Sequence, residues 1–436
     1  MSARPAAPRA VPLAGLRFAD LLRPGDTVGW PQGPGEPLAL TEALVAQGAS
    51  LPRPTLFYGL TSSDTLRPEL AAHFGFLGLN GAGTSRRVSA LADIVPAHVS
   101  TVPALLRDGL LRVDVALVAA RPLPDGRWTT GVVSDFTQAL VRQARTVVAL
   151  LNPALPALAD DAAIDAAEID VLVEAPGDVR IADMPDPEPS EVEQAVARQV
   201  AALVPDRATI ELGIGTLPVA VARALLGHQG LGVHTGVVSD VLVELVERGV
   251  VTNAHKGRDA GLTVTGGLFG TGRLRAFAQR PGTVSMRSTE YTHSPIVAAA
   301  LYRFHTINSA IETDLGGQLN AEVAGGRYLG AVGGLPDFVR CGNASPGGRS
   351  IIAFPSTTPD GRHSRIVASL EGRPVTTARA DVDAIVTEHG VAHLRGCGLA
   401  ERARRLVAIA HPAHREALER ALHAHRGEPP LAGGAA

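Results

Sequence analysis

Short apolar runs alternate with helix-type segments along almost the whole chain, and this alternation limits the folds that the sequence can adopt. The runs 113–123, 146–153 and 169–176 are apolar almost throughout. Such runs are typical of parallel strands that are covered on both faces. The segment 135–144 has helical spacing, and Asp135 is placed to cap it. The pattern predicts βαβ units and therefore an α/β fold with mainly parallel sheets and flanking helices.

A proline-rich acidic segment, 177–190, interrupts this pattern. After it, Ser190 and Glu193 form a capping-box pattern at the start of a new helix-type segment, and the strand–helix alternation resumes. A chain of 436 residues has the length of two ordinary domains. We predict an N-terminal α/β domain over 1–185 and a C-terminal one over 186–436.

The hexapeptide TGVVSD occurs at 130–135 and again at 235–240. Each copy stands where a strand is expected to end and a helix to begin, with Asp135 or Asp240 as the expected cap. The repeat favours a duplicated plan for the two domains, although chance or shared local physics also produces six identical residues.

The composition excludes several classes of protein. A formal net charge of −3, without long Lys/Arg runs, gives no basis for binding nucleic acid. Cys341 and Cys397 are too few for a disulfide framework, and no CxxC pair suggests zinc, so we expect incidental thiols and no metal. No apolar stretch reaches about 18 residues, and the opening MSARPAAPRAVPLAG lacks the apolar core of a signal peptide. We expect a cytoplasmic protein without a membrane partner.

Three segments have the composition of substrate-binding turns. ELGIGTLP (211–218) joins an expected strand to an expected helix through a glycine turn. This turn either exposes N–H groups to an anion or is only a tight strand–helix connection. In YLGAVGGLPDFVR (328–340), glycines allow the backbone to approach a ligand and present an oxyanion donor. FPSTTPDGRHSRI (354–366) is either a solvated loop or a phosphate clamp.

RSTEYTHSP (287–295) places Glu290 and His293 beside an expected helix start. The two could share a proton-transfer task, or they could be surface polar residues at a cap. His234 likewise fits either a base or a buried hydrogen-bonding group.

Over most of its length, the sequence resembles the acetyl-CoA hydrolase/transferase family, which includes 4-hydroxybutyrate and acetate CoA-transferases. The resemblance is densest from about 190 to 425. The resemblance is carried by PEPSEVEQAVARQVAALVPDRATIELGIGTLP, GVVTNAHKG, INSAIETDLGGQLNAE, GAVGGLPDFVRCGNASPGGRSIIAFPST, VTTARADVDAIVTEHGVAHLRG and ERARRLVAIAHPAHREAL. It implies two CoA-transferase-type domains with the active site between them, in a homodimer. It also implies a glutamate that attacks an acyl-CoA thioester and carries CoA through covalent intermediates.

The resemblance implies roles for individual residues. Gly334 matches the oxyanion-hole glycine of the family. CoA is implied as substrate or product rather than as a permanent cofactor, with a carboxylate or another acyl acceptor as second partner. The residues expected to contact CoA are Gly213, Ile214, Gly215, Thr216, Leu217, Ile311 and Gly334.

Three positions depart from the family pattern. Gly236 stands where the nucleophilic glutamate belongs, His293 where an asparagine belongs, and Pro359 where a lysine contacts CoA. Glycine cannot form an anhydride, so the ordinary covalent route through this position is closed.

Two functions therefore stay open on the sequence alone. The first is an acyl-CoA-processing enzyme with diverged chemistry, acting as acyl or CoA transferase or as thioester hydrolase. In it, Glu290 or Glu36 replaces the lost carboxylate, or Glu290 and His293 activate water. The second is a non-catalytic CoA-binding homologue or partner subunit.

Overall fold

A ten-stranded sheet forms the first half of the chain in the computed structural model, which describes residues 8–426. Its main path runs β1-β10-β8-β6-β2-β3-β4-β5, and every pair of neighbours on that path is parallel. The strands are β1 (Arg9–Pro12), β2 (Thr27–Gly29), β3 (Thr55–Tyr58), β4 (Gly75–Gly78), β5 (Asp93–Ile94), β6 (Val115–Pro122), β7 (Trp128–Thr129), β8 (Thr146–Leu151), β9 (Ala163–Ile164) and β10 (Val171–Glu174).

An eight-stranded sheet forms the second half, in the order β14-β13-β12-β11-β15-β20-β22-β23. All of its pairs are parallel except the edge pair β22–β23. The strands of this half, two small sheets included, are β11 (Thr209–Leu212), β12 (Gly232–Thr235), β13 (Thr263–Thr265), β14 (Val284–Met286), β15 (Phe304–Asn308), β16 (Glu312–Asp314), β17 (Leu319–Asn320), β18 (Val323–Ala324), β19 (Arg327–Tyr328), β20 (Arg349–Ala353), β21 (Ile366–Val367), β22 (Ala384–Thr387) and β23 (Gly390–His393).

Helices cover both sheets and bury the apolar runs on two faces. In β6, Val115 and Leu117 pack into one core cluster, whereas Ala116 and Val118 pack into another on the opposite face. This two-sided burial confirms the α/β fold with mainly parallel sheets. The helices are α1 (Leu38–Ala46), α2 (Val102–Arg107), α3 (Thr137–Gln143), α4 (Glu191–Ala201), α5 (Thr216–Ala224), α6 (Val241–Glu247), α7 (Gly272–Ala278), α8 (Thr289–Thr292), α9 (Pro295–Ala298), α10 (Leu335–Ala344), α11 (Leu399–Ile409) and α12 (Pro412–Arg426).

The stretch between β10 and α4 contains neither helix nor strand, and the proposed boundary at 185 lies within it. Ser190 caps α4 as the sequence predicts: its Oγ accepts from the Glu193 N–H, and the Glu193 carboxylate accepts from the Ser190 N–H in return. None of the helices within residues 8–426 combines the length and apolar character that a membrane span requires.

The two sheets share one strand order. If the parallel strands are counted from β2 in the first sheet and from β11 in the second, the first strand lies beside the fifth in both. Strands two to four follow on one side, and strands six and seven follow on the other. The two TGVVSD copies do not occupy equivalent places in this order, because 130–135 follows the fifth strand and 235–240 the second. The hexapeptide repeat is therefore not a trace of the shared strand order.

The aspartates that end the two copies also differ. Asp135 accepts from the Phe136 N–H and the Thr137 hydroxyl at the start of α3. Asp240 instead accepts from the N–H groups of Thr271 and Leu274 around the start of α7, at 3.0 and 3.1 Å. The expectation that Asp240 caps the helix after it is wrong, since Asp186 accepts from the first N–H of α6.

Lys256 is the only lysine of the chain, and it is fully buried. Its Nζ donates to the carbonyl oxygens of Val233 and Leu262 at 2.8 and 2.7 Å, which ties β12 to the loop before β13. Burial lowers its pKa to about 8.

Candidate active site

A cavity of about 230 Å³ lies where the two halves of the chain meet. It is placed at the carboxyl ends of β11 and β15, where the strand order of the second sheet reverses. Ligands of open α/β sheets bind at such a reversal. The first half contributes Gln32, Leu60, Val99, Val133 and Asp135 to the lining, and the polar or glycine positions from the second half include Glu211, Gly213, Thr235, Gly236, Gly266, Thr289, His293, Asn308, Gly333 and Gly334.

The imidazole of His293 fills the space between two of these glycines. A Cβ placed on Gly236 would lie 2.8 Å from His293 Cε1, and one placed on Gly334 would lie 2.5 Å from His293 Nε2. The ring stacks on Phe338 with 4.2 Å between centroids. His293 therefore occupies the volume that a side chain at position 236 would need.

The hydrogen bonds around His293 favour one tautomer of its imidazole. Its Nδ1 lies 2.8 Å from the Thr292 hydroxyl, which itself donates to the carbonyl of Ser288. The hydroxyl proton is thus used, so Nδ1–H donates to Thr292 and Nε2 keeps a free lone pair at the cavity. Burial lowers the pKa of His293 to about 3, and the ring is neutral at physiological pH.

His234 supports the loop that carries His293. It is fully buried, its Nε2 lies 3.0 Å from the carbonyl of Thr292, and its ring packs against Tyr291 and Phe304. Because His234 does not line the cavity, the structure supports its interpretation as a buried hydrogen-bonding group rather than a base.

Gly334 presents a backbone donor to the cavity. It stands directly before α10, and Gly333 with φ +58° turns the chain into the helix. Its N–H donates to no other group of the described chain, whereas its carbonyl accepts from Phe338. A free N–H at a helix N-terminus stabilises an oxyanion.

Gly236 directly follows β12, and its carbonyl accepts from the Gly266 N–H at 2.9 Å. Its φ lies outside the left-handed region, so the backbone at this position suits any residue. What excludes a side chain here is the neighbouring imidazole.

Two buried carboxyl groups line the same cavity, and the sequence motifs predict a chemical role for neither of them. Glu211 Oε2 accepts from the Ile307 N–H at 3.1 Å and from the Asn308 amide at 2.7 Å. Asp135 Oδ2 accepts from the Gln32 amide at 3.0 Å, in addition to its two bonds at the start of α3. Burial raises the pKa of Glu211 to about 8, and burial also raises the pKa of Asp135.

The other carboxylates that the sequence suggested lie outside the cavity lining. Glu290 is on the surface, where both of its oxygens accept from the Arg107 guanidinium at 2.8 and 2.6 Å. Glu36 is buried, and it accepts from the hydroxyls of Thr41 and Ser63. The structure thus does not bring Glu290 and His293 together, although they are only three positions apart in the sequence.

A groove of about 710 Å³ adjoins the cavity, and Ile214 lines both. One wall is the turn with Gly215, Thr216 and Leu217, which leads into α5. The facing wall includes Pro359 and the half-buried Arg365 of the loop 354–366. Ile311 lies apart from this groove, in a neighbouring one that shares Thr358 and Arg365 with it. The groove runs from the N-terminus of α5 to the cavity that His293 lines. A long thioester substrate requires such an extended site.

The sequence matches the acetyl-CoA hydrolase/transferase N-terminal domain over residues 17–181 and the C-terminal domain of the same family over residues 270–422. It is 36% identical to the 4-hydroxybutyrate coenzyme A transferase of Clostridium kluyveri, with 88% of this chain and 90% of that protein aligned. The chain belongs to the acetyl-CoA hydrolase/transferase family. This confirms the resemblance seen in the sequence.

Solved structures agree with this assignment. The crystal structure of RipA from Yersinia pestis aligns with a TM-score of 0.88 at 30% identity, over 96% of this chain and 98% of that one. The 4-hydroxybutyrate CoA-transferase of Porphyromonas gingivalis aligns with a TM-score of 0.81 at 32% identity, over 96% and 98% of the two chains. Membership of this family supports an enzyme that acts on CoA thioesters.

Proposed function

We propose that this protein processes acyl-CoA thioesters by direct acyl transfer or hydrolysis, without a covalent glutamyl intermediate. The observation that carries the proposal is the imidazole of His293, whose free Nε2 lies between Gly236 and Gly334. A neutral imidazole with an open nitrogen is a general base for an incoming nucleophile.

In the proposed reaction, CoA lies in the groove along Gly215–Leu217, and the thioester carbonyl oxygen accepts from the Gly334 N–H. The nucleophile attacks the carbonyl carbon and passes its proton to Nε2 of His293. The C–S bond then breaks, the electron pair stays on sulfur, and His293 returns the proton to the thiolate. Fixed donors at the developing oxyanion and a positioned base each lower the barrier of such a step.

Attack makes His293 an imidazolium while negative charge builds on the thioester oxygen, and both charges form away from water. At low dielectric these two opposite charges attract each other strongly, which offsets part of the cost of forming them there.

The test follows free CoA after incubation with acetyl-CoA and longer acyl-CoAs. His293→Gln should lower the rate of CoA release by about 10- to 100-fold, at or below the low end of the usual range for a positioned general base, because burial makes His293 a weak base. The matched control is His305→Gln, because His305 is also a buried histidine but does not line the cavity. The control should retain most of the activity.

Calorimetric titration with CoA separates this proposal from the non-catalytic alternative. CoA binding without thiol release from any acyl-CoA would overturn the proposed reaction and support a CoA-binding homologue or partner subunit. A homodimer and a cytoplasmic location stay predictions.

A further inference from the structure

We propose that the acyl acceptor of this cavity is a primary amine rather than a carboxylic acid, held beside the open oxygen of Glu211. The proposal rests on the proposed function, since it names the nucleophile that His293 deprotonates.

The charges around the cavity argue against a carboxylate acceptor. The acidic residues of the lining are Asp135 and Glu211, and no lysine or arginine stands among the described lining residues. Arg365, in the adjoining groove, donates to the backbone carbonyls of Ala310 and Ile311. An anionic acceptor would therefore enter a desolvated space that offers no counter-charge, which is unfavourable at low dielectric.

Glu211 has an oxygen available for a ligand. Both of its hydrogen bonds end on Oε2, and Oε1 has no partner within residues 8–426. Asp135 differs, because its two oxygens already accept from Gln32, Phe136 and Thr137. Since burial holds Glu211 largely protonated at neutral pH, an ammonium group at Oε1 would supply the counter-charge that stabilises its ionised form.

A second polar group of the lining also lacks a partner. Thr289 lines the cavity, and its buried hydroxyl has no hydrogen-bond partner among residues 8–426. A buried hydroxyl without a partner is unusual in a folded protein, and a bound ligand is one way to satisfy it. A primary ammonium carries three N–H donors, so two remain for other groups of the lining after one is donated to Glu211.

The proposed reaction balances. The ammonium loses one proton to Glu211, whose raised pKa of about 8 suits this acceptor role. The free amine forms a C–N bond with the thioester carbon and gives a second proton to His293. The C–S bond breaks, and the thiolate takes the proton from His293. The products are an amide and free CoA, and Glu211 releases its proton to solvent.

The test compares acceptors of one chain length: n-butylamine, butyrate and n-butanol, each with acetyl-CoA and the unmodified protein. Free thiol, amide and new acyl-CoA are measured, and amine without protein corrects for spontaneous aminolysis. We expect the amine to raise CoA release at least tenfold above the rate in buffer alone, with amide as product. Transfer to butyrate, or CoA release that the amine does not accelerate, would overturn the amine proposal while leaving thioester processing intact. If CoA is released under none of these conditions, the proposed function fails as well.

Glu211→Gln tests the binding group. It should raise the KM for the amine at least tenfold and lower the ratio of amide formed to acetate formed. Glu36→Gln is the matched control, because Glu36 is an equally buried carboxyl group outside the cavity lining, and its product ratio should equal that of the unmodified protein. An unchanged ratio in Glu211→Gln would show that Glu211 does not hold the acceptor.

Discussion

His293 and Gly236 share one space: a Cβ on Gly236 would lie 2.8 Å from Cε1 of the imidazole and 3.0 Å from its Nε2. The backbone at 236 does not require glycine, so the imidazole is what excludes a larger residue. The two departures that the resemblance implies, at 236 and at 293, are therefore sterically coupled.

This coupling predicts that Gly236→Glu alone does not restore a CoA-transferase. The new side chain overpacks against His293 and should destabilise the protein by about 1–3 kcal/mol in chemical denaturation. Gly236→Glu combined with His293→Asn relieves the overlap. The double variant should recover stability and form a covalent CoA adduct visible by intact mass spectrometry.

Gly236→Ala is the control for this pair, because it adds the Cβ contact without a carboxylate. It should lower stability but form no adduct. An adduct in the single Gly236→Glu variant, at unchanged stability, would contradict the overlap.

The proposed base predicts a particular pH dependence. Because burial lowers the pKa of His293 to about 3, the imidazole does not become protonated between pH 5 and 8. The ratio of the wild-type rate to the His293→Gln rate should be constant over this range, since groups common to both proteins cancel. A ratio that falls about twofold near pH 6.5, the ordinary pKa of histidine, would show that His293 is not desolvated as described.

Glu211 and His234 should affect the pH dependence of stability in opposite directions. The pKa of Glu211 is raised from 4.5 to about 8, so the folded protein binds more protons than the unfolded chain between these values. The contribution of Glu211 to the free energy of unfolding is complete below pH 4.5 and is lost as the pH rises towards 8. Over this range the free energy of unfolding falls by at most about 1.4 kcal/mol per pH unit.

The pKa of His234 is lowered from 6.5 to about 3, so its contribution is present above pH 6.5 and is lost on acidification. The free energy of unfolding should be measured by urea titration at several pH values. In Glu211→Gln it should fall less than in the unmodified protein between pH 4.5 and 8, and in His234→Gln it should fall less below pH 6.5. If the free energy of unfolding depended on pH in the same way in both variants, the described burial of Glu211 and His234 would be contradicted.

The turn before α5 predicts a backbone effect on CoA binding. Gly215 has φ +113° and ψ −176°, a region that only glycine adopts readily. Gly215→Ala should rearrange the turn and raise the Kd for CoA about tenfold or more, measured by calorimetry. Gly227→Ala is the matched control, because Gly227 also has open space at its Cβ but no positive φ, and its Kd should not change.

The sequence predicts the strands better than it predicts the site. The runs around β6, β8 and β10 are recognisable because a strand buried on both faces must be apolar at every position. The capping box of Ser190 and Glu193 is recognisable because its two hydrogen bonds are local. Both signals depend only on neighbours in the chain.

The site depends on contacts between distant segments, which spacing does not encode. Glu290 and His293 look like a pair in the sequence, yet Arg107, from the other half of the chain, holds Glu290 at the surface. Glu211 is part of a quoted motif, but nothing local shows that its carboxyl group reaches the cavity and bonds to Asn308. A charged residue within an otherwise apolar strand was the one signal that could have identified it.

The burial of Lys256 has a practical consequence for work on this enzyme. Its amino group is enclosed and bonded to two carbonyl oxygens, and the chain has no second lysine. Acylating reagents and thioesters will therefore find no lysine side chain to modify on the folded protein, so an amide detected in an assay does not come from a lysine side chain. Labels and surface attachment should instead be directed to Cys397, the less buried of the two thiols.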